Sequence, residues 1–522
     1  MIIASARRAL PAAAAVAAAS VGAGAAWHYY ALGLTLSHYD ARGHLIVARR
    51  IADSITPGWQ QVGAVWLPLP HLLNALPVQI DLFYRTGASA VAISIASYAI
   101  ATAAIAWIVL ALTESGAAAA AAAAVFALNP NVLYLQSTPM TEPLLLATTT
   151  VAVAMLIAWA RGHGPTQRSV GVAFALACLT RYEAWPVTAA ALAAAAWMRW
   201  RNGTWFVAAW REVALIALYP AAATVGFAVF SRVVIGTWFV SSGFFVPENK
   251  AIGDAVLAAK EIAWGAQTLS GPMLTRLGGI GVAIAIVVSL IPARSASGVF
   301  ALRPDAAVAA SLLAMAAVPW AAFYRGHPFR IRYVVPLMAI EAIGGGILAG
   351  MVPVRRLRPV AALVLAAIVA YELHPLDRSA PMVVEAQWDR PNTPERARVT
   401  ACIGHLEPGA KIMASMGSLG HYMQETSHQR LAIRDFLHEG NGDIWLAALE
   451  NPHRFADWVL IEEKAEGGDM LARIARERPS FLAGYARICD GAGLALYRRL
   501  ERADSIETTE GADPGVSDVR RR

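Results

Sequence analysis

The segment Ser37-His-Tyr-Asp40-Ala-Arg42-Gly-His44 follows the first hydrophobic stretch of a chain that is otherwise mostly apolar. An aspartate between a histidine and an arginine is costly at the mouth of a bilayer unless it is solvated, paired or used in chemistry. Later carboxylates and arginines at predicted membrane edges fall on the same side as this aspartate. The pattern indicates an enzyme that works at a membrane face.

The composition is that of an integral membrane protein. Of the 522 residues, 57% are hydrophobic and only 15% are charged, whereas soluble proteins carry about 25% charged residues. The net charge is 43 − 36 = +7, which in a membrane protein reflects loop arginines near anionic lipid. No nucleic-acid-binding motif is present, so we expect no nucleic-acid partner.

Hydrophobic periodicity predicts an α-helical polytopic membrane protein with about eleven transmembrane helices. Arg7 and Arg8 place the N-terminus in the cytoplasm by the positive-inside rule, and the long apolar run that follows favours an uncleaved first helix over a signal peptide. An odd number of spans puts the C-terminal region outside the cytoplasm. The predicted helices lie near residues 9–30, 89–112, 117–136, 141–160, 169–181, 184–199, 213–235, 277–293, 305–323, 333–351 and 358–374.

The composition divides the chain into three parts. Residues 1–375 form the membrane domain, with a first outer loop, 37–88, in which apolar residues at helical spacing predict an interfacial amphipathic helix. Residues 376–502 are richer in charge and predict a small extracytoplasmic α/β domain, and the tail 503–522 has no apolar pattern and is predicted to be disordered. The expected strands are 411–417, 458–462 and 495–499, and the expected helices are 396–406, 444–449 and 468–477.

Asp40 is the first candidate for chemistry. It can act as a general base, or it can orient an acceptor nucleophile or a divalent metal. The competing structural roles are a salt bridge to Arg42 and a cap for the following helix. His44, four residues on, shares a helical face with Asp40, so it tunes that carboxylate, contacts an acceptor or is simply solvated.

Glu142 begins the fourth predicted helix at its outer end. It is either a second carboxylate at the Asp40 cavity or an acid that stabilises a helix N-terminus. Arg181 lies in the next tight outer turn, beside Glu183. This arginine either binds phosphate or forms a structural pair with its neighbour.

Arg330 and Arg332 stand at the outer start of the tenth helix. An arginine fork makes two parallel hydrogen bonds to phosphate and never deprotonates, whereas a snorkelling anchor is the structural alternative. Lys250, in a second outer loop at about 236–276, is a further candidate for a phosphate contact. The pattern favours phosphate binding by the two arginines.

These motifs together resemble a known class of membrane enzyme. The first-loop aspartate, Thr141-Glu-Pro143, Leu179-Thr-Arg-Tyr-Glu183 and Arg332-Tyr-Val-Val-Pro336 resemble the integral membrane glycosyltransferases of the C-type (GT-C) fold. The similarity is to family 39-like members, which include protein O-mannosyltransferases and the lipid A aminoarabinose transferase, and to a bacterial branch whose substrate the resemblance leaves open. It covers about residues 1–375, and the C-terminal domain also resembles those that follow such transferases.

The resemblance implies an inverting transfer from a polyprenyl-phosphate-linked sugar at the bacterial inner membrane. It assigns Asp40 as the catalytic base, Glu142 as the second carboxylate, and Arg332 with Arg330 and Arg181 as phosphate contacts. Protein mannosyltransferases carry adjacent Asp-Glu here, whereas Asp40 is followed by Ala41, which weakens the case for a protein acceptor. The acceptor remains a lipid, a glycan or a protein of the cell envelope.

Two other functions remain open from the sequence. A polytopic transporter or lipid flippase has similar hydropathy, but we find no internal repeat and no matched pair of broken helices. A non-catalytic assembly protein with the GT-C fold is the other. The sequence establishes no cofactor and leaves a divalent metal open. It does not specify the sugar, the oligomeric state or whether Cys402 and Cys489 pair.

Overall fold

The computed structural model describes residues 2–162, 164–236, 238, 250–290, 305–464 and 468–500. The predicted disordered tail, 503–522, lies outside the described residues. The membrane part consists of helices and the C-terminal part of a small sheet with flanking helices. The boundary predicted at 375/376 stays a prediction.

Every one of the eleven predicted membrane segments contains helix. A 3₁₀ turn, Ser311–Ala316, joins the fourteenth and fifteenth helices, and another, Ile331–Leu337, precedes the sixteenth. The helices are α1 Ile2–Ala31, α2 Tyr39–Arg49, α3 Leu69–Asn74, α4 Asp81–Thr86, α5 Ala88–Thr113, α6 Gly116–Ala127, α7 Pro130–Leu135, α8 Glu142–Ala160, α9 Gln167–Cys178, α10 Ala184–Arg201, α11 Phe206–Ile235, α12 Ala255–Ser270, α13 Pro272–Leu290, α14 Ala306–Ala310, α15 Ala317–Tyr324, α16 Met338–Gly350 and α17 Arg358–Glu372.

Seven helical stretches among the described residues are long and apolar enough to cross a bilayer, so the chain is a multi-pass membrane protein. The count of eleven spans stays a prediction because the remaining segments are shorter or less apolar. The seven are Ala9–Ala31, Ala88–Thr113, Glu142–Ala160, Phe206–Val234, Pro272–Leu290, Ala306–Tyr324 and Ile331–Gly350.

Glycines allow α13 and α16 to pack with their backbones in contact. A Cβ on Gly281 would collide with the carbonyl oxygen of Gly344, and one on Gly344 would collide with the carbonyl of Gly278. Small residues let membrane helices approach this closely, and dispersion contacts then hold them. The packing fixes α16, and with it the 3₁₀ segment before it that carries Arg332.

Helix α12 was not predicted, because it lies inside the segment interpreted as an outer loop. Its N-terminus is capped by Asp254, whose Oδ1 accepts from the amides of Val256 and Leu257 at 3.0 and 2.9 Å. Such a cap satisfies two of the unpaired amides that every helix start exposes.

The C-terminal part is an α/β unit, as predicted. Strands β1 Ile412–Ala414, β2 Phe436–Leu437, β3 Trp458–Glu462, β4 Tyr485–Gly491 and β5 Leu494–Arg499 form one sheet in the order β2-β1-β3-β5-β4. β1 is parallel to β2 and β3, and β5 is antiparallel to β3 and β4. The helices are α18 Pro381–Glu385, α19 Thr393–Ala401, α20 Met416–Glu425, α21 Asp443–Glu450 and α22 Met470–Glu477.

The helix expected to lie on the membrane, α2, is buried beneath this sheet. Leu45 and Ile46 pack in one apolar cluster with Ile412 and Leu419 of the C-terminal part. The exposed apolar side chains that suit a lipid interface come later in the same loop: they are Leu72, Leu73, Leu76, Ile80 and Leu82. The first loop therefore joins the membrane helices to the sheet.

A disulfide joins Cys402, just after α19, to Cys489 in β4, a pairing that the sequence had left open. Disulfides form and persist outside the cytoplasm, so the bond agrees with the predicted orientation of the C-terminal part.

We expect alkaline phosphatase fused after residue 500 to be active and green fluorescent protein fused there to be dark, because the C-terminal part is predicted to lie outside. Non-reducing electrophoresis of the same protein should detect the Cys402–Cys489 bond, with Cys402→Ser as its control. An inactive phosphatase together with a bright fluorescent fusion would contradict this orientation.

Candidate functional site

A histidine caps the N-terminus of helix α2. His38 is the N-cap, and its Nδ1 accepts a hydrogen bond from the amide of Asp40 at 3.1 Å. Asp40 therefore does not cap the helix, which removes one structural alternative for it. Asp40 and Arg42 are two residues apart, about 200° around the helix, so their side chains leave α2 in nearly opposite directions.

Asp40 pairs with Arg332 instead of Arg42. The Oδ2 atom of Asp40 meets Nη1 of Arg332, and these residues are only 6% and 5% exposed. Nη2 of Arg332 donates to the hydroxyl of Tyr333 at 3.1 Å, and its Nε is buried without a hydrogen-bond partner among the described residues. The guanidinium thus holds the carboxylate and keeps its Nε donor unused.

Glu142, Arg181 and Glu183 form a second buried group beside this pair. Arg181 Nη1 lies 3.0 Å from Glu142 Oε1 and 3.0 Å from the Thr141 hydroxyl, while Nη2 lies 2.6 Å from Glu183 Oε1. Glu142 is fully buried and its Oε2 has no hydrogen-bond partner. Because Nε of Arg181 also donates to Glu183, protein acceptors occupy this arginine, and its clearest role is to neutralise the two glutamates.

His44 lies on the Asp40 face of α2, as predicted. Its Nδ1 is 3.0 Å from Nε2 of His71, and its ring packs on Trp66 with centroids 4.2 Å apart. Burial, reinforced by the charges of Arg181 and Arg332, holds the pKa of His44 well below its ordinary value. The imidazole is therefore neutral at physiological pH.

The two remaining predicted residues, Arg330 and Lys250, lie in different surroundings. Arg330 is half-buried. Burial lowers the pKa of His38 well below its ordinary value, and the charges of Arg332, Arg42 and Arg330 lower this pKa further. Lys250 is exposed in a turn before α12 and makes no ion pair or hydrogen bond with any residue in the described part of the chain. Thus Asp40, Glu142, Arg181, Arg332, Arg330 and His44 come together, whereas Lys250 stays outside the cluster.

The opposite face of α2 carries a charge cluster that the sequence did not reveal. Arg42 pairs with Glu425 and lies 3.5 Å from Asp389. Arg396 binds both acids, at 2.8 Å each, and Nε2 of His421 is 3.6 Å from Asp389. No local signal marks these residues, because the cluster joins the first loop to helices that begin more than three hundred residues later.

A cavity of about 420 Å³ opens beside this second cluster, lined by Arg42 and Glu425 among others. It lies on the Arg42 side of α2, so it is distinct from the surroundings of Asp40. As for a metal, the described ranges contain no group of three His, Cys, Asp or Glu side chains arranged to hold one.

With this geometry in hand, comparison with solved structures identifies the fold. The chain matches crystal structures of ArnT from Cupriavidus metallidurans bound to undecaprenyl phosphate, with a TM-score of 0.57 and 12% identity, and in the apo state, with a TM-score of 0.56 and 11% identity. Both matches cover 92% of this chain and 97% of ArnT.

The chain has the fold of ArnT. This is the GT-C fold expected from the sequence motifs, and the identity is low enough that the likeness concerns the fold alone. An Archaeoglobus fulgidus oligosaccharyltransferase in complex with Zn and sulfate also aligns, at 12% identity over 91% of this chain and 71% of that chain, with a TM-score of 0.43. No protein-family model and no curated protein matches the sequence.

We expect Arg396→Ala to lower the free energy of unfolding by about 3–5 kcal/mol, because Arg42 alone would then have to offset the charges of two buried carboxylates. The control is Arg487→Ala, which breaks ion pairs to Glu463 and Asp490 that are about half-exposed and should cost at most about 1 kcal/mol. Unfolding of the detergent-solubilised proteins measures both. Equal losses would mean that the buried cluster does not fasten α2.

Acid should destabilise the protein through its buried histidines. Burial lowers the pKa of His71, His421 and His438 to about 3, against about 6.5 in the unfolded chain. The unfolded state therefore takes up more protons below about pH 6.5, so stability is full above that pH and falls as the pH drops towards 3. Melting temperatures across this range should fall less steeply for His421→Asn than for the native chain.

Proposed function

We propose that the chain is an inverting glycosyltransferase of the bacterial inner membrane. It moves a sugar from a polyprenyl-phosphate donor to a hydroxyl of an acceptor outside the cytoplasm. The observation that carries the proposal is the buried Asp40–Arg332 pair at the start of a membrane helix, in which Nε of Arg332 has no hydrogen-bond partner among the described residues. The shared fold with ArnT, whose structure holds undecaprenyl phosphate, supports a donor of this chemical class.

Asp40 is the base in this proposal. It takes the proton of the acceptor hydroxyl as that oxygen bonds to the anomeric carbon, on the side opposite the phosphate. The bond from that carbon to the phosphate oxygen breaks, and its electron pair leaves with the polyprenyl phosphate. A lipid phosphate is already a good leaving group, so the site needs a base and a cation more than a strong acid.

Arg332 supplies the cation. A guanidinium has five donors in a fixed plane, so Nη1 can hold Asp40 while the Nε edge binds a phosphate oxygen. Its packing at 4.7 Å over the Tyr333 ring supports a fixed orientation. Donors that are already oriented stabilise developing charge without reorganisation, and Arg330, two residues earlier, adds positive charge.

Glu142 and His44 complete the proposed site, and Lys250 is a peripheral candidate at most. Glu142 is neutralised on one oxygen by Arg181 and keeps Oε2 for an acceptor or donor hydroxyl. We assign Arg181 to positioning Glu142, because its hydrogen bonds are directed at protein atoms. This division leaves Arg332 as the principal phosphate contact.

Asp40→Asn should lower turnover by at least about a hundredfold, the low end of general-base contributions, while undecaprenyl phosphate still binds. The assay is transfer of radiolabelled sugar from polyprenyl-phosphate donors by the purified protein, scanned across lipid, glycan and protein acceptors. Asp81→Asn is the matched control, because that acid of the same loop is largely exposed. Near-native turnover of Asp40→Asn would exclude it as the base, and no transfer by the native chain would favour a transporter or an assembly protein.

Arg332→Lys should weaken binding of undecaprenyl phosphate, and Arg332→Ala should weaken it further, because lysine keeps the charge but loses the fork. Titration of the detergent-solubilised proteins measures the affinity, and their melting curves report folding. Arg85→Lys, a half-exposed arginine of the first loop, is the control. If lysine substitutes fully at position 332, the arginine is a snorkelling anchor and the phosphate contact lies elsewhere.

A further inference from the structure

A backbone carbonyl fixes the protons of two histidines beside Asp40. Nδ1 of His71 lies 3.1 Å from the carbonyl oxygen of Leu67, and Nε2 of His71 lies 3.0 Å from Nδ1 of His44. A carbonyl oxygen only accepts, so Nδ1 of His71 must carry the proton. In the neutral ring Nε2 then accepts, so Nδ1 of His44 donates to it.

This relay leaves one tautomer for His44. With the proton on Nδ1, Nε2 of His44 carries only a lone pair, and that atom is buried without a hydrogen-bond partner in the part of the chain that the structure describes. Burial keeps the pKa of His71 near 3 and that of His44 well below its ordinary value, so neither ring gains the second proton that would reverse the direction. Nε2 of His44 can therefore accept a hydrogen bond and cannot donate one.

The His44 ring is also held in place. It packs against Trp66, with the two rings tilted by 44°, and the tryptophan approaches α2 closely enough that a Cβ at Gly43 would lie 2.9 Å from the indole. Glycine at this position is therefore what lets the tryptophan reach the helix. A fixed ring directs its lone pair at one point, as a group that reads a substrate must.

Space for a single small group adjoins the ring. A cavity of about 30 Å³ is lined by His44, His71, Ser94 and Thr141 among others, and this volume suits one water-sized group. Thr141 also accepts from Arg181, so the cavity adjoins the Glu142–Arg181 pair. The lone pair on Nε2 of His44 would repel an anionic phosphate oxygen, whereas a hydroxyl would donate a hydrogen bond to it.

We propose that Nε2 of His44 accepts a hydrogen bond from a hydroxyl of the donor sugar, and that His71 is the positioning residue that holds His44 in the accepting tautomer. The proposal rests on the proposed function. His44 shares a helical face with Asp40, the proposed base, and lies in the electric field of Arg332, the proposed phosphate contact. In this arrangement His44 lies beside the reacting carbon of the sugar, where a neighbouring sugar hydroxyl can reach it. A sugar without a hydroxyl there would lose about one hydrogen bond, roughly a tenfold loss of affinity.

The tautomer can be measured without any substrate. In ¹⁵N-histidine-labelled full-length protein, nuclear magnetic resonance should find protonated Nδ1 and bare Nε2 on His44, with the signals assigned through His44→Gln. His71→Gln offers an acceptor near the Nε2 position and should keep this tautomer, whereas His71→Leu should lose it. A proton on Nε2 of native His44, or no change in His71→Leu, would overturn the relay.

Affinity measurements test whether His44 contacts the sugar of the donor. The probes are undecaprenyl phosphate and its mannose, glucose, galactose and N-acetylglucosamine esters. At least one ester should bind His44→Asn about tenfold more weakly than it binds the native chain, the loss of one hydrogen bond. His44→Gln, whose amide oxygen reaches the Nε2 position, should largely keep the native affinity for that ester. Undecaprenyl phosphate, which has no sugar hydroxyl, should lose less affinity than the ester in His44→Asn.

The outcomes separate this inference from the proposed function. If every ester binds His44→Asn as tightly as it binds the native chain, or loses no more affinity than undecaprenyl phosphate does, His44 does not contact the sugar. If undecaprenyl phosphate itself fails to bind, the proposed function fails, while the tautomer measurement still decides the relay. Melting curves of each variant exclude loss of folding as the cause.

Discussion

Burial of the charged helix α2 is the constraint on which the rest of the site depends. This helix lies between an apolar bundle and a sheet, so each charge that it carries needs a partner to offset the loss of water. Asp40 meets Arg332 on the membrane side, and Arg42 meets Glu425 and Asp389 on the sheet side. Because these two residues leave α2 in nearly opposite directions, the pairs fix its rotation between the two parts of the molecule. The same rotation brings His44 next to Asp40 and away from the second cluster.

Each arginine–carboxylate pair of the site keeps a polar atom that makes no hydrogen bond to the described residues. Glu142 binds Arg181 through one oxygen, and its other oxygen has no hydrogen-bond partner. Arg332 binds Asp40 through Nη1 and keeps Nε. His44 is turned into an acceptor by its relay. A carboxylate, a guanidinium and a histidine lone pair thus adjoin one another at the ends of membrane helices, and this set suits the proposed transfer of a sugar from a lipid phosphate.

Much of the fold could be predicted from the sequence, because hydrophobic runs and helix caps are local signals. The membrane helices and the strands Trp458–Glu462 and Leu494–Arg499 lie where the pattern indicated. Helix α20 was missed because Gly417 and Gly420 lower its helix propensity and its first amide is satisfied by the distant Glu439. The strand expected over 411–417 accordingly ends at Ala414. The sequence named Glu183 as a partner for Arg181, which the structure shows, but it missed the partner of Asp40. That residue was weighed against the neighbouring Arg42, whereas its partner, Arg332, lies in a 3₁₀ segment far along the chain.

In the proposed transfer, Arg332 binds the donor phosphate while Asp40 faces the reacting carbon. An experimental structure of the full chain with undecaprenyl phosphate tests it most directly. We expect a phosphate oxygen at about 2.7–2.9 Å from Nε of Arg332, the distance of a charge-assisted hydrogen bond, with the carboxylate of Asp40 on the far side of the position that the anomeric carbon would occupy. A phosphate bound away from Arg332, with the Asp40–Arg332 pair unchanged and closed to the lipid, would contradict the claim.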